Sequence, residues 1–160
     1  THTGEVFYTI GSKKRFKSPK EVEKLLQSMT LEAIVGFLNA SGGELVIGIN
    51  EKDNVKKVVG IEYEGFSSED EYQRHVIQHI NNRIGKNYLG DYIDTYFKKV
   101  EGKTIFIIKV KPFIPQKGQI PVLLDGKTCF KRTGPRTDEI NSGEEFAQFI
   151  VGRTNLDSAL

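Results

Sequence analysis

At 160 residues the chain has the length of one ordinary domain, enough to bury a substantial core. Hydrophobic residues make up 38% and charged residues 28%, values of a globular protein, well away from disordered or membrane compositions. No apolar run approaches the ~20 residues that cross a bilayer, which argues against a membrane partner, and a net charge of +2 names no other partner by itself.

Cys129 is the sole cysteine, so no disulfide can form within the chain. The N-terminus lacks the basic-then-apolar pattern of a secretory signal, and the two observations together point to a reducing compartment, the cytoplasm. Thr1-His2-Thr3-Gly4 does not start with methionine and reads as an artificial boundary or a cut in a longer chain. Residues 1–17 are expected to form a basic arm or edge, and residues 18–155 a single domain without repeats or linkers.

The first predicted element is a helix. Ser18-Pro19-Lys20-Glu21 joins an N-cap serine, a first-turn proline and a reciprocal glutamate. Val22, Leu25, Leu26, Met29, Ala33, Phe37 and Leu38 then recur as one apolar stripe, ending at Asn39-Ala40-Ser41-Gly42-Gly43. Residues 44–50 read as a strand, Glu51 to Asn54 as a turn, and Val55 to Ile61 as the returning strand. Ser68-x-x-Glu71 caps a second helix that carries Tyr72, Val76, Ile77, Ile80 and Ile84. Glu69-Asp70-Glu71 here, and Glu144-Glu145 later, offset the positive ends of helices.

Two paired strands follow, Tyr92 to Val100 and Thr104 to Lys111, joined at Glu101-Gly102-Lys103. Ile105-Phe106-Ile107-Ile108 is an unbroken apolar run, as expected of a strand covered on both faces. Residues 112–119 read as a loop. Asp125-Gly126-Lys127 closes a hairpin between residues 122–124 and 128–131, and Ser142-x-x-Glu145 caps a final helix. The order α-β-β-α-β-β-β-β-α predicts an α+β domain, a single mixed β-sheet with three helices packed on it.

Three segments suggest chemistry. Asn39-Ala40-Ser41-Gly42-Gly43 is a helix end that, with two residues lacking a Cβ, can bring backbone N–H groups close to a phosphate or base. Its plainer reading is a left-handed helix cap and turn. Phe130-Lys131-Arg132-Thr133-Gly134-Pro135-Arg136-Thr137 delivers cations and a hydroxyl around a tight turn, donors that match phosphate oxygens. Its plainer reading is a solvated loop. Lys13, Lys14, Arg15 and Lys17 form a basic arm around Phe16, suited to a polyanion or simply to solvent. His75 and His79 have the i, i+4 spacing of zinc ligands but no H-E-x-x-H pattern or cysteine partner, so no metal site is predicted. Cys129, in mid-strand, is expected to be buried and inert.

Gly36-Phe37-Leu38-Asn39-Ala40-Ser41-Gly42-Gly43-Glu44-Leu45-Val46-Ile47-Gly48-Ile49-Asn50 resembles the A-F-x-N-x-x-G-G-x-L-x-I-G-V-D motif of the Schlafen-type, Alba-like domain family. Val59-Gly60-Ile61 is similar to the V-x-G-hydrophobic strand that follows it, and residues 129–137 resemble the late [FY]-x-R-x-G-x-x-T segment. The resemblance runs in order from about Ser18 to Arg153, with the two motifs about ninety residues apart. It implies an α+β module that binds DNA or RNA, often within a larger regulatory protein; no cofactor is expected. Motif matching then places Asn39, Gly42, Gly43, Arg132, Gly134 and Thr137 at the shared surface. Ser41, Lys131, Arg136 and the Lys13, Lys14, Arg15 arm are expected to join them.

Some members of that family are metal-dependent ribonucleases. Their acidic pair precedes the first helix, where this chain offers only Glu5-Val6-Phe7-Tyr8, a poor match. Their third acid falls at Asn50, a neutral amide that cannot supply a carboxylate to a hard cation; Glu51 and Asp53 lie nearby. No G-x-x-x-x-G-K-[ST] phosphate loop supports the ATP binding also suggested for the family. The departures favour a non-catalytic binding module, with the ribonuclease and an oligomerising or ATP-binding module as alternatives. For a homodimer, the apolar strand Ile105 to Ile108 and the aromatic strand Tyr92 to Phe97 are the expected seam.

Overall fold

The computed structural model describes residues 5–8, 29–61, 66–116 and 119–159. Its elements are β1 (Glu5–Tyr8), α1 (Leu31–Leu38), β2 (Gly43–Ile47), β3 (Ile49–Lys52), β4 (Val55–Val58) and α2 (Glu69–Arg83). After a short turn of 3-10 helix come β5 (Ile93–Val100), β6 (Lys103–Val110), β7 (Leu123–Leu124), β8 (Thr128–Thr133), β9 (Arg136–Glu139) and α3 (Gly143–Ala159).

The α+β class and three helices agree with expectation, but the strands do not form a single sheet. Among the described residues they divide into a four-stranded sheet of order β1-β2-β6-β5, a two-stranded β3-β4 and a three-stranded β7-β8-β9. The first is mixed, because β1 runs parallel to β2 while β2 and β5 flank β6 antiparallel. One cause of the division is Gly48. Its φ of +107° turns the chain out of the predicted 44–50 strand, so β3 leaves the first sheet and pairs with β4. Asp53 and Asn54 both adopt positive φ, which narrows the predicted turn to those two residues. A second departure is β9, which pairs with β8 where a simple loop was expected.

Packing follows the side-chain alternation of β6. Phe106 and Ile108 point to one face and join Leu45 and Ile47 of β2 in the main core. That core is completed by Leu31, Ile34, Phe37 and Leu38 of α1, by Tyr72, Val76 and Ile80 of α2, and by Val122, Leu124 and Phe130. Each large apolar side chain so buried contributes roughly 1.5–3 kcal/mol. Ile105 and Ile107 point the other way and join Val46 beneath Ile49, Val58 and Val100. The strand expected as a dimer seam is therefore consumed inside the chain, leaving only the edge strand β5 of that expectation.

Residues 18–28 of the predicted first helix lie outside the described residues; of its apolar stripe Ala33, Phe37 and Leu38 are buried and Met29 is 44% exposed. Every residue of α1 except Glu32 is buried, because the sheet lies on one side and β7–β9 on the other. Burial pushes the Glu32 carboxyl above the usual range, and nearby Glu139 adds to this while Arg83 opposes it. The predicted cap of α2 is present: Ser68 Oγ accepts from Glu71 N–H at 3.1 Å. The Glu71 carboxylate turns to the N–H and hydroxyl of Ser67 instead of to Ser68 itself. At the far end Arg83 grips Asp125 in a bidentate pair (2.9 and 2.6 Å), tying α2 to the β7–β8 turn.

Candidate nucleic-acid interface

The end of α1 and the late arginine segment lie against each other, and Asn39, Arg132 and Thr137 make their side-chain hydrogen bonds within the chain. Asn39 is 2% exposed. Its Nδ2 donates to Val122 O (2.9 Å) and Phe130 O (3.0 Å) and lies 3.6 Å from Cys129 Sγ, while its Oδ1 accepts from Val122 N–H (2.8 Å). A single amide thus joins the helix end to β8 and to the residue that leads into β7. The side chain expected at a nucleic-acid surface is thus buried, with its amide bonded within the chain.

Gly42 is likewise turned inward. Its N–H donates to Phe37 O at 3.0 Å, and a Cβ would stand 2.4 Å from Val110 O. The missing side chain admits the end of β6. Gly43 opens β2 opposite Val110, and Ser41 is exposed in the turn.

Arg132 projects from β8 across α1, its guanidinium carbon 4.8 Å from the centre of the Phe37 ring. Its Nη1 donates to Thr137 Oγ1 (2.8 Å) and its Nη2 to Gly134 O (3.3 Å). Gly36 permits this approach, since a Cβ there would meet Thr137 Cγ2 at 3.1 Å and Arg132 Cδ at 3.3 Å. Arg132 and Thr137 therefore brace the β8–β9 hairpin on α1. Lys131 pairs with Glu145 of α3 at 2.7 Å, and that hydrogen bond holds the Glu145 carboxyl below its ordinary value. Arg136, at the hairpin end beside Gly134, is 73% exposed and only 3.5 Å-paired with Asp138. Exposed pairs of that kind contribute little. Lys13, Lys14 and Arg15 lie outside the described residues.

Arg153, which sequence reading missed, reaches back from α3. It donates to Ala40 O (3.0 Å) and Phe113 O (2.8 Å), satisfying a carbonyl just beyond the end of α1. A lone arginine in a polar final helix carries no signal for this role.

Cys129 is buried as expected, and desolvation pushes its thiol from 9.0 up to about 11. A thiol reagent at pH 8 should leave the native protein unmodified and label Cys129 once denaturant unfolds it. The unfolded thiol ionises nearer 9 while the folded one keeps its proton, so stability should fall as pH rises from 9 towards 11. Denaturant melts across that range check the sign.

His75 and His79 face each other, Nε2 to Nε2, at 3.3 Å. Among the described residues, no three His, Cys, Asp or Glu side chains gather to hold a metal ion. A cleft of about 270 Å³ at the start of α2, lined in part by Ser67, Glu69, Tyr72, Lys99 and Thr104, contains neither motif. No helix among the described residues is long and apolar enough to cross a membrane.

Comparison with known proteins places this arrangement. The family model described as Schlafen, AlbA_2 matches residues 8–141, spanning both motifs. The chain belongs to the Schlafen, AlbA_2 family. The DIP2311 protein of Corynebacterium diphtheriae shares the fold, with a TM-score of 0.55 at 17% identity. That likeness covers 94% of this chain but only 24% of the other, so the chain spans about a quarter of that protein. The N-terminal domain of a Nitrosomonas europaea protein described as related to the ATP-dependent DNA helicase RecG matches at a TM-score of 0.44 and 15% identity. This second match covers 79% of the chain and 96% of that domain. No curated protein sequence matches the chain.

Proposed function

We propose that this Schlafen, AlbA_2 domain binds nucleic acid as a non-catalytic module of a larger cytoplasmic regulatory protein. The observation that carries the reading is the braced β8–β9 hairpin. Arg132, Thr137 and Asn39 hold it rigidly on α1, and it offers Arg136 to solvent from a fixed position. A hairpin whose backbone is already fixed loses less entropy through ordering when it meets a phosphate. Ser41, Lys131, Gly134 and Arg136 would form the outer rim of that contact, with Asn39, Gly42, Arg132 and Thr137 as its support. Membership of the family supports the same reading, because the resemblance implies a DNA- or RNA-binding module.

Fluorescence anisotropy with labelled mixed-sequence oligonucleotides of about 25 nucleotides tests it. Binding at low salt should weaken steeply as salt rises, with a log–log slope of roughly −0.7 per phosphate contact on single strands. Arg136→Ala should reduce that slope by about one contact. Absence of binding at low salt, or an affinity indifferent to salt, would remove the reading.

A further inference from the structure

Resting on that nucleic-acid reading, we infer a second contact surface: the outward face of the β5–β6 hairpin receives single-stranded nucleic acid, with a base stacked on Tyr96 and phosphates held by Lys98, Lys103 and Lys57. The strand register places Tyr96, Lys98 and Lys103. Tyr96 stands opposite Ile107, Lys98 opposite Ile105, and Val100 opposite Lys103, so all share one face of the sheet. Ile105 and Ile107 are covered on that face by Ile49, Val58 and Val100, which makes its floor a packed core. Tyr96 lies on that face and is 39% exposed. Phe97, its neighbour, faces the other way and packs on Phe106 at 4.9 Å between ring centres.

On this face Tyr96 stands between Asp94 and Lys98, and the cations a phosphodiester chain requires lie on the Lys98 side. Lys98 is exposed two residues along the strand, about 7 Å away. Lys103 Nζ donates to Val58 O at 3.3 Å, which draws the β3–β4 hairpin alongside. Lys57 and Lys56 immediately precede Val58 and are exposed. Among the described residues the acidic positions on this side are Asp94 and Glu44, both opposite Lys109 in the register, Glu5, the register partner of Glu44, and Glu101 and Asp53 in the turns. Lys109 therefore sits between two carboxylate-bearing positions, and the surplus of cations lies at the hairpin end.

An exposed ring on a rigid sheet, flanked by flexible cations, suits bases of any sequence, because every base has a π-face. It suits a single strand in particular, because a duplex keeps its bases paired and stacked on one another. This face lies on the side of the four-stranded sheet away from α1 and the braced hairpin, so its contribution is separable from that of Arg136.

The test is anisotropy with the same single-stranded oligonucleotides and a matching duplex. Tyr96→Ala should weaken single-strand binding roughly tenfold or more, and Tyr96→Phe should restore it. Lys57→Gln with Lys98→Gln should lower the magnitude of the salt slope by about 1.4, two phosphate contacts. Melting temperatures should stay near that of the parent, since all three side chains are exposed. If the parent binds and Tyr96→Ala binds as tightly, this inference fails while the nucleic-acid reading stands. Duplex binding equal to single-strand binding and insensitive to Tyr96→Ala would also overturn it. A parent protein that binds neither oligonucleotide overturns both.

Discussion

Replacing Asn39 with alanine is expected to destabilise the domain by about 3–5 kcal/mol, with a fall in melting temperature of roughly 10 °C or more. The truncation leaves Val122 N–H, Val122 C=O and Phe130 C=O in the interior without the amide that serves them. Each such group costs about 1–3 kcal/mol when left unpaired. Asn39→Asp should be at least as damaging, because an acceptor-only carboxylate would face two carbonyl oxygens. Circular-dichroism melts of both variants measure the effect. A melting temperature unchanged from the parent would show that the amide does not join these elements.

The second large effect contrasts two glycines that the sequence assigns to one surface. Gly42→Ala should cost roughly 3 kcal/mol or more. Gly42 has a φ of +76°, and its new methyl group would lie 2.4 Å from Val110 O, a backbone atom held in the sheet. Gly134 has a φ of +59° but nothing within 4 Å of the built Cβ. Gly134→Ala should therefore cost only the left-handed backbone penalty, about 1–2 kcal/mol. Denaturant titration of the pair separates steric exclusion from conformational preference. Equal losses for the two would contradict the close approach of β6 to the end of α1.

These contrasts show where sequence reading stops. Local signals were legible: the Ser68 cap, the hairpin turns at Glu101-Gly102 and Asp125-Gly126, and the double-faced strand at Ile105 to Ile108 all appear as expected. What local signals cannot carry is partnership across the chain. β1 is four residues long and pairs with a strand about forty positions later, so no periodicity within it announces the pairing. Asn39 lies in a polar-and-small stretch that resembles a solvated loop, and only the approach of β7 and β8 buries it.

The candidate site was legible as a juxtaposition and illegible as a set of roles. The two motifs do meet, yet Asn39, Gly42, Arg132 and Thr137 are absorbed in making them meet. Motif spacing reports residues that a fold cannot exchange, and those include the joints as well as the contacts. Tyr96 is the converse case. Grouped with the aromatic residues of its strand it reads as part of an apolar seam, whereas alternation along β5 separates it from Phe97 and turns it to solvent.

Arg153 sets a practical boundary for the domain. The family match ends at residue 141, whereas the carbonyls of Ala40 and Phe113 are served by a guanidinium twelve positions further on. A version trimmed to the matched span would keep both signature segments and lose the clasp that closes the helix end beneath them. The minimal autonomous unit is thus longer than its recognisable signature.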